Sequence, residues 1–158
     1  MPDMLVPLLK LPPIGNQIEM MRTAGVIIRR PLPHEISRVR AFVEKHFATA
    51  WADEITVAYA NKPASMFIAI EDGETIGFAA YECTARGYFG PTGVAETHRG
   101  RGIGKVLLLA CLHGLREMGY VYGIIGAAGP VDFYAKTVNA IVIPDSVPGI
   151  YADPLKKR

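Results

Sequence analysis

The sequence predicts a three-layer α+β domain in which a mixed, mainly antiparallel central sheet is flanked by helices. Two β-rich runs, residues 66–71 and 74–82, are joined by the dipeptide Asp72-Gly73, which is a strong hairpin signal. Residues 90–119 combine a strand, a glycine-rich turn and a long amphipathic helix. The apolar run at residues 120–126 predicts a buried strand after that helix.

Composition and charge restrict the classes of function. The chain has 158 residues, 50% hydrophobic and 20% charged, as expected for a single globular domain. The net charge is only +2, and the one basic run, residues 156–158, is typical of a solvated tail, so we expect no nucleic-acid partner. No apolar run approaches the roughly 20 residues that span a membrane. Cys83 and Cys111 lack metal-ligand spacing, which predicts reduced thiols, a cytoplasmic location and no metal site.

The first part of the chain predicts an arm and then two helices. Four prolines interrupt residues 1–24, so we expect an extended N-terminal arm there and a single domain over residues 25–158. Residues 26–29 predict a short strand, and the apolar spacing after Pro33 predicts a helix. A second helix is predicted over residues 51–60.

The central strands lead into the glycine-rich turn. Both hairpin strands are apolar on both faces, and residues 88–96 predict a third antiparallel strand beside them. Glycines in the turn let the backbone approach a ligand, and the following helix begins with unpaired N–H groups. Because Arg99, Arg101 and Lys105 surround these donors, the turn predicts an anion-binding site.

Two common phosphate-binding motifs do not fit this turn. A P-loop needs Ser or Thr where Val106 stands. A dinucleotide fingerprint needs Gly-x-Gly-x-x-Gly, which the spacing of Gly100, Gly102 and Gly104 does not give. The pattern that fits is Arg-x-x-Gly-x-Gly, beginning at Arg99.

The rest of the chain predicts a helix, a strand, a helix and a strand. Residues 103–118 carry one apolar stripe, and Gly119 provides the helix stop. After the next strand, Pro130 opens a short helix that ends at Asn139, a residue that tolerates the left-handed conformation. Residues 140–143 predict a further strand.

Two motifs resemble those of one protein family. The turn with Arg99, Gly102 and Gly104 resembles the acyl-CoA pyrophosphate loop of the GNAT N-acetyltransferases. The segment Phe133-Tyr134-Ala135-Lys136 resembles their Phe-Tyr-Glu-Lys helix segment, and the element order over about residues 25–152 is similar to the GNAT acyl-CoA N-acyltransferase fold. The resemblance implies transfer of an acetyl group from acetyl-CoA, as cosubstrate, to a primary amine by direct attack.

The resemblance also implies roles for individual residues. Main-chain groups of Val94 and Glu96 would pair with the pantetheine arm, and the Tyr134 hydroxyl would protonate the CoA sulfur. The catalytic base stays open between Glu96 and Glu82, which lie on predicted central strands, while His98 is interpreted as a surface residue. The residues implied to bind the cofactor are Val94, Ala95, Glu96, Arg99, Gly100, Arg101, Gly102, Ile103, Gly104 and Lys105.

Several alternatives stay open at the level of sequence. A non-catalytic acyl-CoA-binding or regulatory module on the same fold is the main one, because no single base stands out. No motif encodes the acceptor amine, although Trp51, Asp53 and Glu54 on the second helix are candidates to line its site. A homodimer through the N-terminal arm or the final strands is a further expectation.

Overall fold

The computed structural model describes residues 1–156, so residues 157 and 158 of the predicted basic tail lie outside the described chain. The strands are β1 Met4–Pro7, β2 Ile27–Arg29, β3 Met66–Glu71, β4 Glu74–Tyr81, β5 Tyr88–Val94, β6 Tyr122–Ile125 and β7 Ile141–Val142. The helices are α1 Gln17–Thr23, α2 Ile36–His46, α3 Thr49–Ala60, α4 Ile103–Glu117 and α5 Val131–Val138.

The strands form one mixed sheet in the order β2-β3-β4-β5-β6-β1-β7. All neighbouring strands are antiparallel except β5 and β6, which run parallel. The predicted fold class, a mainly antiparallel mixed sheet flanked by helices, is therefore confirmed.

Helices cover both faces of the sheet because the central strands are apolar on both. Along β4, Phe78 and Ala80 join a buried cluster with α2 and α3, whereas Ala79 and Tyr81 join a second cluster with α4. Alternate residues of a strand point to opposite faces, so each helical layer receives its own apolar row. Ten of the fifteen residues of α4 are buried.

The N-terminal segment differs from its prediction. Residues 1–24 do not form an extended arm, since β1 lies inside the sheet between β6 and β7 and α1 follows it. Met4, Val6 and Leu8 are fully buried at alternate positions. This alternation is present in the sequence, but Pro7 concealed it, because a proline normally argues against a strand. Here Pro7 is the last residue of β1, a position that tolerates proline.

The turns form where the sequence predicts them, whereas the end of one strand differs from its predicted position. Asp72 and Gly73 both have positive φ, as the hairpin signal requires, and Asn139 ends α5 with φ 54°. The predicted strand over residues 88–96 stops at Val94, and residues 96–98 form a short 3-10 helix instead. The strand thus ends two residues earlier than predicted.

Two further properties of the described residues bear on function. No helix in residues 1–156 is long and apolar enough to cross a membrane. The same residues contain no group of three or more His, Cys, Asp or Glu that could hold a metal ion.

Cys83 and Cys111 are both free thiols, and burial raises the pKa of Cys83 to about 12.

Candidate active site

The sheet opens between β5 and β6. These parallel strands pair at only two positions, the second being Phe89 opposite Ile125. Beyond this point residues 90–94 and 126–130 line a groove. Separated strands expose main-chain N–H and C=O groups, which can hydrogen-bond an extended ligand.

The groove has two halves that share Thr92, Pro130 and Tyr134. The loop half has a volume of about 480 Å³ and is bounded by the end of β5, the glycine-rich turn and the start of α4. The tryptophan half has a volume of about 240 Å³ and includes Trp51 from α3 and Met1. Tyr134 therefore stands where the two halves meet.

The start of α4 supplies main-chain donors to the loop half. Gly102 precedes the helix with φ 78°, a left-handed conformation that favours glycine, and no side chain caps the helix. The hydrogen bond from the Val106 N–H to the Gly102 carbonyl begins the helical ladder, so the N–H groups of Ile103, Gly104 and Lys105 precede it. Such a helix start favours an anion.

Basic side chains add to these donors. Arg99 lines the loop half and its Nε donates to the Val94 carbonyl at 3.1 Å, which ties the turn to the end of β5. Lys105 is exposed beside the same donors. The predicted cofactor-binding residues that line the loop half are Val94, Arg99, Gly100, Gly102, Ile103, Gly104 and Lys105.

Arg101 has a different environment from the one predicted. It lies outside the groove lining and forms two hydrogen bonds with Glu71, at 2.7 and 3.2 Å. The Arg101 guanidinium holds the pKa of the Glu71 carboxyl below its usual value. Glu71 also lies 3.1 Å from Nε2 of His98, so one carboxylate of the hairpin holds the turn at two residues.

Three other predicted site residues lie outside the groove. Ala95 is buried and its N–H donates to the Ile76 carbonyl at 2.8 Å. Glu96 begins the short 3-10 helix and is exposed. Glu82 follows β4 with φ 57°, accepts a hydrogen bond from the Gly87 N–H and lines a separate cavity. Neither carboxylate lines the groove beside Tyr134.

Tyr134 is buried at the junction with only 6% of its surface exposed. Its ring packs edge-on against Phe89 and Phe133, with centroid distances of 6.4 and 5.3 Å. Burial raises the pKa of Tyr134 to about 12, so the hydroxyl keeps its proton throughout the neutral range. It can therefore act as a hydrogen-bond donor in the groove.

The tryptophan half depends on a close contact that the sequence analysis did not identify. The rings of Phe47 and Trp51 stack at a centroid distance of 5.5 Å. A Cβ at Gly93 would lie 2.4 Å from the Phe47 ring, so only glycine leaves room for this pair. An isolated Gly within a strand is a known sign of close approach, and Gly93 could have been found by it.

The comparisons with known proteins agree with this geometry. A sequence profile of the acetyltransferase (GNAT) family matches residues 33–136. The chain belongs to the GNAT acetyltransferase family. A search of curated protein sequences finds no match to the chain.

Solved structures of GNAT proteins share the fold. A GCN5-related glucosamine N-acetyltransferase region of a fungal multi-domain GH3 β-N-acetylglucosaminidase has a TM-score of 0.70 at 18% identity, over 90% of this chain and 19% of that one. A GCN5-related N-acetyltransferase from Sphaerobacter thermophilus has a TM-score of 0.67 at 21% identity, over 90% of this chain and 48% of that one. The chain thus spans about a fifth and about half of these two proteins. The likeness confirms the predicted GNAT fold.

One further structure was solved with the cosubstrate bound. A GNAT family acetyltransferase from Brucella melitensis, in complex with acetyl-CoA, is 25% identical over 60% of this chain and 70% of that one, with a TM-score of 0.48.

Proposed function

We propose that this GNAT protein is an acyl-CoA-dependent N-acyltransferase that moves an acetyl group from acetyl-CoA to a primary amine. The observation that carries the proposal is the junction of the groove at Tyr134. Anion-binding main-chain groups lie on one side of this residue and an open, mainly apolar pocket on the other. Such an arrangement suits a donor with a pyrophosphate and an acceptor that approaches from the opposite end.

The loop half fits the pyrophosphate of the donor. The N–H groups of residues 103–105 supply the donors, and Arg99 and Lys105 supply positive charge. The open edge of β5 from Thr92 to Val94 would then guide the pantetheine arm towards Tyr134. A main-chain N–H on this edge is the candidate to stabilise the developing oxyanion of the thioester.

Tyr134 is placed to assist the leaving group. In the transfer, the amine nitrogen forms a bond to the thioester carbonyl carbon, the C–S bond breaks, and the sulfur leaves with the electron pair. The Tyr134 hydroxyl, protonated at neutral pH, donates a hydrogen bond to that sulfur and can supply its proton. After the C–N bond forms, the nitrogen loses a proton, which balances the one that Tyr134 gives to the sulfur. Before the attack, the bound ammonium must lose one proton to water or to a base, because only the neutral amine can attack.

The tryptophan half favours removal of that proton by desolvation. Its lining contains no carboxylate or imidazole side chain from residues 1–156. An apolar wall lowers the pKa of a bound ammonium group, because burial disfavours the charged form. Water can then carry the proton away, and a dedicated base such as Glu96 or Glu82 is not required.

The same observation favours the alternative function. A tryptophan half with no carboxylate or imidazole in its described lining would also suit a non-catalytic acyl-CoA-binding module on the GNAT fold. The two functions differ in product formation alone, since both require acetyl-CoA to bind in the loop half.

The test measures CoA release from acetyl-CoA with a panel of primary amines. We expect turnover with at least one amine, and a loss of turnover in Tyr134→Phe while calorimetry shows unchanged acetyl-CoA binding. Tyr122→Phe is the matched control, because Tyr122 is 57% exposed on β6 and lies outside both halves of the groove. Binding without turnover in the wild type would support the non-catalytic module.

A further inference from the structure

A second cavity lies at the opposite end of α4 from the glycine-rich turn. Its volume is about 330 Å³, and it is lined by the C-cap residues of two helices, Asn61 after α3 and Met118 after α4. It shares no residue with either half of the groove. A ligand of this cavity would therefore bind at a site separate from the groove.

The side chain of Arg30 lines this cavity and has donors for which the described residues provide no partner. Its NH1 donates to the Ala64 carbonyl at 2.6 Å and to the Tyr81 hydroxyl at 2.8 Å. Within residues 1–156, no partner is found for its NH2 and Nε atoms, and no carboxylate lies within 4.0 Å of the guanidinium. The neighbouring Arg29, in contrast, forms a bidentate pair with Glu35 at 2.6 and 2.9 Å.

The guanidinium of Arg30 is held in place by aromatic rings. Its central carbon lies 4.6 Å from the Phe67 ring centroid and 5.8 Å from that of Tyr81. The Tyr81 hydroxyl in turn requires glycine at position 114, since a Cβ there would lie 2.6 Å from it. Gly114 stands in the interior of α4, where glycine is unfavourable relative to alanine. A fixed, half-buried guanidinium with three free N–H donors matches the geometry of a carboxylate.

Charges of both signs surround the cavity. Lys62 adds a second cation beside Arg30, whereas Glu82 and Glu117 contribute two carboxylates. The C-terminal ends of α3 and α4 also favour positive charge. A ligand with a carboxylate and an ammonium group matches this pattern, whereas a phosphate would meet two carboxylates and two negative helix ends.

We propose that this cavity binds a free α-amino acid, with its carboxylate on the Nε and NH2 edge of Arg30 and its ammonium group facing Glu82 and Glu117. The volume accommodates a small zwitterion of this kind. The site is separate from the proposed transfer chemistry, and α4 is the element that connects the two.

The first experiment uses calorimetric titration and thermal shift on the whole chain. Each of the standard amino acids is added at about 10 mM, a level that reveals millimolar affinity as a raised melting temperature. We expect at least one amino acid to bind, and its deaminated carboxylate, its amide and inorganic phosphate to bind more weakly. Equal binding of the deaminated acid or of phosphate would overturn the zwitterion assignment, and no binding by any amino acid would overturn the site.

Variants locate the binding. Arg30→Gln removes the positive guanidinium group. We expect the affinity for the amino acid to fall about tenfold or more, as for loss of hydrogen bonds to a charged group. Because Arg30 also supports the Ala64 carbonyl, Lys62→Ala tests the same site at an exposed lining residue. Arg116→Gln, exposed on α4 outside the cavity, is the control. Unchanged affinity in both cavity variants would contradict the proposal.

Acetyl-CoA titration on the same samples separates this site from the proposed function. We expect Lys62→Ala to bind acetyl-CoA as the wild type does while losing affinity for the amino acid. If the wild type does not bind acetyl-CoA, the transferase proposal is overturned, whereas the amino-acid site is still tested by its own titration.

Discussion

The two halves of the groove are built in different ways. The loop half comes mainly from one stretch of sequence, residues 92–105, and offers main-chain donors and positive charge. The tryptophan half is assembled from segments far apart in the chain, including Met1, Trp51 and residues 125–130. Backbone geometry defines the first half and side-chain packing defines the second, so substitutions should affect donor and acceptor binding separately.

The largest expected effect is the loss of acetyl-CoA binding in Gly102→Glu. The new side chain must adopt a left-handed conformation at φ 78°, and its carboxylate would face the pyrophosphate. We expect affinity to fall by about 100-fold or more, since like charges at close range cost several kcal/mol. Calorimetric titration measures this fall.

Gly119→Glu is the matched control for that variant. Gly119 has φ 98° and open space around its Cα, at the other end of α4. It should carry a similar backbone strain and leave acetyl-CoA affinity unchanged. Equal losses in the two variants would show that the loop half does not bind the donor.

A smaller effect is expected in Gly93→Ala, which attacks the tryptophan half. The new methyl group would overlap the Phe47 ring and displace it from Trp51, and overpacking of this kind costs about 1–3 kcal/mol of unfolding free energy. Denaturant unfolding measures that loss. Gly93 also lines the loop half, but its new Cβ would meet Phe47, so we expect the KM for the acceptor to rise more than the Kd for acetyl-CoA. A larger change in the Kd for acetyl-CoA would mean that the two halves do not act separately.

A modest effect is expected from Glu71→Gln, which releases Arg101 and His98 at the edge of the loop half. Because the ion pair is exposed, its loss should weaken acetyl-CoA binding only about two- to fivefold. Glu74→Gln on the same hairpin, which removes the longer 3.6 Å pair with Arg38, should have no effect. If both variants bind alike, Glu71 does not position the turn.

The smallest expected change concerns the alkaline side of the pH profile. With its pKa raised to about 12, Tyr134 stays protonated as the pH rises through the range in which ordinary amines lose their protons. The rate should therefore rise with pH and then level off, with no fall between about pH 8 and 10. A fall within that range would assign the acid role to a group other than Tyr134.

The sequence predicted the fold, and most residues that it assigns to the anion site lie together around the loop half, because these signals are local. The hairpin at Asp72, the glycine-rich turn and the helix containing Tyr134 each occupy a few adjacent residues. The position of the Trp51 ring depends on the close contact between Gly93 and Phe47, which forms only after the sheet and α3 have packed. An isolated glycine can indicate a close approach at Gly93, but no short-range pattern identifies Phe47 as the residue that approaches it.

The errors have physical causes of the same kind. Arg101 was predicted to face the anion, but Glu71, 30 residues away, lies close enough to bind it. Glu96 was placed on a strand that in fact ends at Val94, so the side-chain alternation no longer applies to it. Glu82 follows β4 at the end remote from the turn, a position that the predicted antiparallel pairing of residues 74–82 with residues 88–96 already implies.

The position of β1 has a consequence for the order of folding. Its partners are residues 122–125 and 141–142, so β1 pairs only with strands that follow it by more than 100 residues in the sequence. Contacts of such long sequence separation form slowly, because the loop between them must be closed first. The main chain around Met4, Val6 and Leu8 therefore gains its strand partners only when residues 121–142 fold back onto it, so this part of the sheet depends on contacts between residues far apart in the sequence.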